Sequence, residues 1–306
     1  MQIKIQNIGH TFNPKSPWEF TALEKINLEI KQGEYVGIIG STGSGKTTLI
    51  EHLNGILKPT EGEIEWYFYD EKKNKKTNQI EQELTKLTVK SSQKKIKKVK
   101  QIRKKIGIAF QFAEYQLFKA TIKEDIAFGP IAYGMSKEEA YKKAEEVLEL
   151  VGLGKEYLER SPFELSGGQK RRVALAGLLA MNPDVLVVDE PTAGLDPQGV
   201  IDILDILTNL NKQGKTIINV THDLDNILER AKRILLLKKG ELIMDGDPYQ
   251  VLNNVELLIE NNLQPPKILE FVHQLRKLGF EIGEIHSLEE LAREINRIRN
   301  ERRQNE

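Results

Sequence analysis

The chain has 306 residues, 39% of them hydrophobic and 29% charged, with 45 basic against 45 acidic side chains and no cysteine. That length predicts about two domains around a sizeable core. The charge balance argues against a surface that as a whole attracts nucleic acid or anionic lipid, and the missing thiols exclude a disulfide framework and fit a reducing compartment.

Residues 1–15 hold no apolar run of the signal-peptide kind. Nowhere do about 18 apolar residues follow one another, so work at a membrane is expected to need partner subunits. Ile3, Ile5 and Ile8 alternate with polar residues, as do Leu23, Ile26, Leu28 and Ile30, which predicts two antiparallel strands. Residues 35–39 read as a short apolar strand entering a glycine-rich loop. Over 47–57 the side chains of Leu49, Ile50, Leu53, Ile56 and Leu57 share one helical face, with Pro59 as the stop. A strand is expected over 63–67. Between 71 and 105 lysine becomes dense (Lys72, Lys73, Lys75, Lys76, Lys94, Lys95, Lys97, Lys98) and large apolar residues become sparse. This predicts a tolerated surface insertion, a solvated helix or partly disordered loop. The sharper alternative is contact of the clustered lysines with anionic lipid heads. Further on, 106–110 reads as a strand, 136–152 as helix, 185–188 and 216–220 as buried parallel strands, and 200–212 as helix between them. Residues 233–237 and 241–244 read as a hairpin. After Asp247 the chain turns helical with a break at Pro265 and Pro266. Ser287 and Glu290 form a capping box for a last amphipathic helix. No internal repeat is present, and the alternation of strands and helices predicts a parallel α/β sheet with right-handed crossovers.

Three motifs carry chemistry. Gly40, Ser41, Thr42, Gly43, Ser44, Gly45, Lys46 and Thr47, followed by Thr48, fit the phosphate-loop pattern G-x-x-x-x-G-K-[ST] between a predicted strand and a predicted helix. The glycines let backbone N–H groups turn onto phosphate oxygens at a helix N-terminus. Lys46 is expected to neutralise β- and γ-phosphate charge, and Thr47 to offer its hydroxyl to Mg2+. The apolar run 185–188 ends in Asp189 and Glu190. A carboxylate at the C-terminal end of such a strand faces the nucleotide crevice, so Asp189 is expected to hold Mg2+ and Glu190 to act as general base on water. A cap on the following helix is the plainer reading of that pair. The third motif is Leu165-Ser166-Gly167-Gly168-Gln169, in which Ser166 can cap a helix running to Met181 and the two glycines permit close backbone approach to an anion.

With these motifs in hand, the sequence resembles the ABC ATPases, whose signature motif matches Leu165 to Gln169. The resemblance implies an ATP-binding and ATP-hydrolysing subunit. Two such subunits pair head to tail, so that the signature of one (Ser166, Gly167, Gly168, Gln169) meets the ATP held by the phosphate loop of the other. It further implies that Gln111 senses Mg2+ or water, that Ala193-Gly-Leu-Asp196 crosses the dimer interface, and that His222 contacts the γ-phosphate. Phe12 stands where the family usually stacks tyrosine on adenine; a ring stack needs only a π-face. The implied fold is a P-loop NTPase (RecA-like) α/β domain over 1–246, with a mostly parallel core sheet and an antiparallel β subdomain. It carries the insertion at about 71–104 and a helical subdomain at about 112–182, and a helical extension over 247–306 is expected to serve dimerisation. Segments 40–58, 110–118, 127–130, 161–165 and 171–177 most resemble the second of the two paired ATPases of energy-coupling factor (ECF) transporters. That resemblance implies ATP and Mg2+ as cofactors, and three partners: a second ABC ATPase (a paralogue or the same chain), a transmembrane coupling subunit received at 110–118, and a membrane substrate-binding subunit. It places the chain at the cytoplasmic face of the membrane, importing vitamins or transition-metal ions. A DNA-acting ABC ATPase is disfavoured by the lack of heptads and cysteines, a translation-type one by the single phosphate loop, and a catalytically dead partner by intact Lys46, Asp189, Glu190 and His222. Another ABC importer, or a non-transport ABC ATPase, remains the alternative.

Overall fold

The computed structural model describes residues 1–73, 80–285 and 287–304. In chain order the elements are β1 (Gln2–Phe12), β2 (Phe20–Ile30), β3 (Tyr35–Ile39), α1 (Lys46–Leu53), β4 (Glu61–Lys73), β5 (Ile80–Lys90), α2 (Val99–Lys105), β6 (Ile106–Ala109), α3 (Ile122–Ala132), α4 (Lys137–Leu150), α5 (Gly167–Leu179), β7 (Val185–Asp189), α6 (Pro197–Lys212), β8 (Thr216–Val220), α7 (Leu224–Arg230), β9 (Arg233–Lys238), β10 (Glu241–Gly246), α8 (Pro248–Leu252), α9 (Val255–Glu260), α10 (Lys267–Lys277) and α11 (Leu288–Gln304).

The strands form two sheets. One is antiparallel in the order β2-β1-β4-β5; the other runs β10-β9-β3-β8-β7-β6 and is parallel except for the β9–β10 hairpin. In β1 the alternating Ile3 and Ile5 pair with Ile30 and Leu28 of β2, as the period of two dictates. β3 sits between β8 and β9 and is buried at every position, so its run Tyr-Val-Gly-Ile-Ile has no polar face. Its side chains divide between two cores. Val36 and Ile38 join Leu49, Ile50 and Leu53 of α1 and the inner face of the antiparallel sheet, whereas Tyr35 and Ile39 join α6, α7 and the central helices. A third, small cluster of Val272, Ile282, Ile285 and Leu291 holds the C-terminal helices. No helix among the described residues is long and apolar enough to cross a membrane.

Three expectations are corrected. The helix expected over 47–57 ends at Leu53, because Gly55 takes a left-handed φ of 66°, and Ile56 turns outward. The strand expected over 63–67 runs from Glu61 to Lys73, because Trp66 and Phe68 bury completely, with Trp66 Nε1 donating to the Leu53 carbonyl at 2.8 Å. Only the end of the segment 71–105 is the solvated helix expected of it. Its first portion is the hairpin β4–β5, paired residue for residue from Glu63–Lys90 out to Lys73–Ile80, and its last is α2. The expected Lys75 and Lys76 lie outside the described residues.

Candidate nucleotide site

The loop between β3 and α1 is shaped by glycine. At Gly40, with φ 151°, a Cβ would stand 2.4 Å from the Leu237 carbonyl oxygen; at Gly45, with φ 101°, it would stand 2.7 Å from the Ala22 carbonyl oxygen. No side chain fits either place, so the loop can pack against β9 and β2 only as glycine. The Ser44 N–H donates to Ser41 O at 3.1 Å and the Gly240 N–H to Ser44 O at 3.0 Å, which closes the loop on the β9–β10 turn. Lys46 Nζ donates to the carbonyls of Gly40 and Ser41 at 2.7 and 2.9 Å. Thr42, Gly43 and Thr47 are exposed at the loop's outer face; Ser41 and Thr48 are half-buried.

β7 delivers the carboxylates. Burial raises the Asp189 pKa to about 6, the neighbouring Glu190 charge adds to that, and Lys46 opposes it. Burial likewise lowers the Lys46 pKa, while Glu190 and Asp189 hold it up. The three groups therefore share one electrostatic site. Glu190 takes a left-handed φ of 50°, costly for a side chain of its kind, with its N–H donated to Val220 O of β8 at 2.8 Å. That twist points its carboxylate at His222, whose Nδ1 lies 2.8 Å from Glu190 Oε1; Thr221 Oγ1 donates to Oε2 at 3.4 Å. Gln111 follows β6 and is exposed. Its neighbours Phe110 and Phe112 line a small hollow together with Asp189 and Glu190.

The second glycine motif stands elsewhere. Ser166 caps α5 by accepting from the Gln169 N–H at 3.3 Å, and Gln169 Oε1 accepts from the Ser166 N–H at 3.1 Å, a reciprocal box that leaves Gly167 exposed at the helix tip. Asp196 spends its carboxylate capping α6, accepting from the Gly199 N–H at 2.7 Å. A Cβ at Gly168 would touch Leu195 Cδ2 at 3.6 Å, so the segment before Asp196 packs on the signature helix of its own chain. Among the described residues no hydrogen bond joins this second group to the phosphate loop.

Two sets of residues that the sequence reading passed over tie the site together. Arg171 on α5 is 6% exposed. It makes a two-pronged pair with Glu114 (3.2 and 2.9 Å) and donates to the carbonyls of Pro191 and Ala193 at 3.0 and 2.7 Å. It thereby joins the stretch after Gln111 to the stretch after Glu190. Its sequence signals are a five-residue spacing from Ser166 and its place at the head of the family-like segment 171–177. Phe12, half-buried, meets His10 edge-on at 4.4 Å; His10 Nδ1 lies 3.1 Å from His52 Nε2, and His52 Nδ1 donates to Thr48 O at 2.7 Å. Because that carbonyl only accepts, Nδ1 carries the proton and Nε2 of the neutral ring accepts from His10. This chain of contacts anchors Phe12 to the helix that follows the phosphate loop.

Comparison with known proteins gives the family. The ABC transporter family profile matches residues 23–193. The energy-coupling factor transporter ATP-binding protein EcfA2 of Mycoplasmopsis synoviae (strain 53) is 62% identical over 97% of this chain and 96% of its own length. Its namesake in Lactococcus lactis subsp. lactis (strain IL1403) is 46% identical over 90% of each. Among solved structures, cbiO1 from Clostridium perfringens, part of the ABC transporter complex cbiONQ, superposes with a TM-score of 0.67 at 34% identity, covering 89% of this chain and 98% of that one. The ATP-binding cassette MJ0796, in a dimeric post-hydrolysis state bound to ADP and Pi, gives a TM-score of 0.64 at 33% identity over 80% and 98%. The chain thus belongs to the ABC transporter family as an ATP-binding subunit of the energy-coupling factor type, coupling ATP hydrolysis to transport.

Proposed function

We propose that the chain hydrolyses ATP at a site shared between two subunits, with Glu190 as the base and His222 as the group it orients. The observation that carries this is the 2.8 Å contact of Glu190 with His222, beside an Asp189 and a Lys46 that feel each other's charge. The phosphate loop from Gly40 to Thr47 presents N–H groups at the start of α1, and Lys46 exchanges the Gly40 and Ser41 carbonyls for phosphate oxygens. Phe12 offers a ring face to the adenine. Glu190 takes a proton from water as its oxygen attacks the γ-phosphorus, the bond to the β-phosphate oxygen breaks, and ADP leaves; His222 and Lys46 balance the charge that develops on the γ-oxygens.

The donor set fits Mg2+. Among the described residues no group of three His, Cys, Asp or Glu side chains is clustered to hold a metal alone. Thr47 and Asp189, with Gln111 nearby, are hard oxygen donors that complete a shell only when phosphate oxygens join them, which is the habit of Mg2+. Two crowded carboxylates, one of them with its pKa pushed up to about 6, also favour a cation there. When bound, Mg2+ supplies charge neutralisation to the β- and γ-phosphates. Asp196 and the helix tip at Ser166, Gly167, Gly168 and Gln169 are the surface offered to a partner's nucleotide. The ABC ATPase opposite is a paralogue or a second copy. A transmembrane subunit seats on the exposed Phe112, Tyr115 and Phe118, and a membrane substrate-binding subunit brings a vitamin or transition-metal ion for import at the cytoplasmic face. In this reading residues 1–246 are the ATPase domain and the helices of 247–306 stabilise the subunit pair.

Glu190→Gln decides the central assignment. It should keep the affinity for ATP, lower turnover by at least about a hundredfold, and accumulate an ATP-bound closed complex on sizing with the partner ATPase. Turnover near the native rate would remove Glu190 from the role.

A further inference from the structure

Between residues 94 and 105 the sequence places eight basic residues and no acidic one, while the rest of the chain carries eight more acidic than basic residues. Local structure turns this run into a fixed ridge. Ile96, Val99 and Ile102 recur every three residues and point inward at the end of α1, where a Cβ on Gly55 would meet Val99 Cγ2 at 3.3 Å and the Ile96 and Ile102 side chains at 3.7 and 3.8 Å. Ile102 is fully buried, and Arg103 donates to the Gly55 carbonyl at 3.1 Å. With the apolar positions used as tacks, Lys94, Lys95, Lys97, Lys98, Lys100 and Lys104 are all held outward and exposed.

None of these six makes an ion pair among the described residues. Lysines just outside the ridge behave differently: Lys86 pairs with Glu65 at 2.5 Å, Lys90 with Glu63 at 2.8 Å, and Lys105 with Asp184 at 3.7 Å. The fold thus supplies carboxylates on either side and withholds them from the ridge, although like charges spaced by one to three residues repel. Next to the ridge, Lys104 lines a hollow with Tyr133 and Met135, both exposed, and with Glu139, whose carboxylate is engaged by Ser136. Unpaired ammonium groups beside an exposed tyrosine and methionine are the composition that sits at the level of lipid head groups.

We propose that the ridge from Lys94 to Lys104 is a docking surface for anionic lipid head groups of the membrane in which the partner subunits lie. This rests on the reading of the chain as a subunit working with membrane partners. A long polyanion followed beyond the ridge would meet a chain with surplus negative charge.

The test uses the full chain with vesicles free of any partner subunit. Native protein should float with phosphatidylglycerol vesicles, stay behind with phosphatidylcholine vesicles, and detach as salt rises. Replacing Lys94, Lys95, Lys97, Lys98 and Lys100 together by Gln should lower the partition onto phosphatidylglycerol at least tenfold, whereas the same five changed to Arg should retain it. Equal binding by the Gln variant overturns the proposal, as does loss in the Arg variant, or tighter binding of the native ridge to an RNA oligonucleotide than to the vesicles. ATP affinity and assembly with the partner ATPase, measured on the same Gln variant, should be native. If they are, and vesicle binding is unchanged as well, only the lipid surface falls and the transport reading stands.

Discussion

His52 shows how a single side chain sets a pH dependence. It is fully buried, and that burial pulls its pKa from the ordinary 6.5 to about 4, with the neighbouring His10 adding to the effect and the Thr48 carbonyl resisting it. The folded ring is therefore neutral, while the unfolded ring gains a proton below its ordinary value. Stability is complete above pH 6.5 and declines as pH falls from there towards 4, by about 3 kcal/mol if the whole shift is expressed. Urea unfolding from pH 7.5 to 4.5 should display that loss, and His52→Gln should flatten it. A slope unchanged by the substitution would assign the acid sensitivity to other groups. Neither histidine stands out in the sequence, because a lone histidine on β1 and another on a helix have no spacing that predicts their meeting. By contrast the places of Lys46 and Thr47 at a helix start, and of Asp189 and Glu190 at a strand end, were legible one by one, since each pattern is local.

At the scale of elements, α5 does two jobs with opposite ends of one turn. Its first residues make the exposed signature tip, and Arg171, one turn on, reaches inward to Glu114, Pro191 and Ala193. The arginine is a positioning residue, holding the segments after Gln111 and after Glu190 in one register. Arg171→Lys keeps the charge but loses the fork geometry. Its expected signature is an unchanged affinity for ATP with kcat lowered roughly tenfold, together with a lower Tm, since a buried pair broken outright costs about 3–5 kcal/mol. A variant that loses Tm alone, with native kcat, would reduce Arg171 to a packing role. The β4–β5 hairpin is the element the sequence concealed. Charge density from 71 onward suggests a solvated segment, but Trp66 and Phe68 are packed beneath the sheet, and their burial carries the strand pairing out to Lys73. Cross-strand pairs decide a strand's extent, and the partner lies too far along the chain for periodicity to reveal it.

Across the whole molecule, stability is expected to be uneven. The two large cores meet at β3, whereas the C-terminal part past α10 rests on Val272, Ile282, Ile285 and Leu291 with a few flanking side chains. α10, on which it rests, is moored to the remainder by Leu269, by the Lys267 N–H bond to Asp225 at 2.8 Å, and by Arg276 to Asn253 at 3.2 Å. Few buried apolar groups mean a low free energy of local opening. Amide exchange read by mass spectrometry should therefore run roughly a hundredfold or more faster in α11 than in β3 and β8. Assembly with the partner ATPase should slow it if these helices stabilise the pair. Equal protection of α11 and β3 in the isolated chain would show that the extension belongs to the main cooperative unit.

What the sequence determined alone was the set of local grammars: alternation in β1 and β2, the all-apolar β3, β7 and β8, glycine where Gly40 and Gly45 approach backbone, and Ser166 at a helix start. Each is fixed by dihedral preference, side-chain period or the four unbonded N–H groups of a helix tip, none of which needs a distant residue. Only the tertiary structure decided that Glu190 meets His222, that Arg171 bridges two loops, that His10 and His52 share a proton, and that the lysines of 94–104 stand on a fixed ridge rather than a loose loop. Those contacts are made between residues 20 to 57 positions apart, or against the end of α1. They follow from how whole sheets and helices stack, so no window of sequence holds both partners.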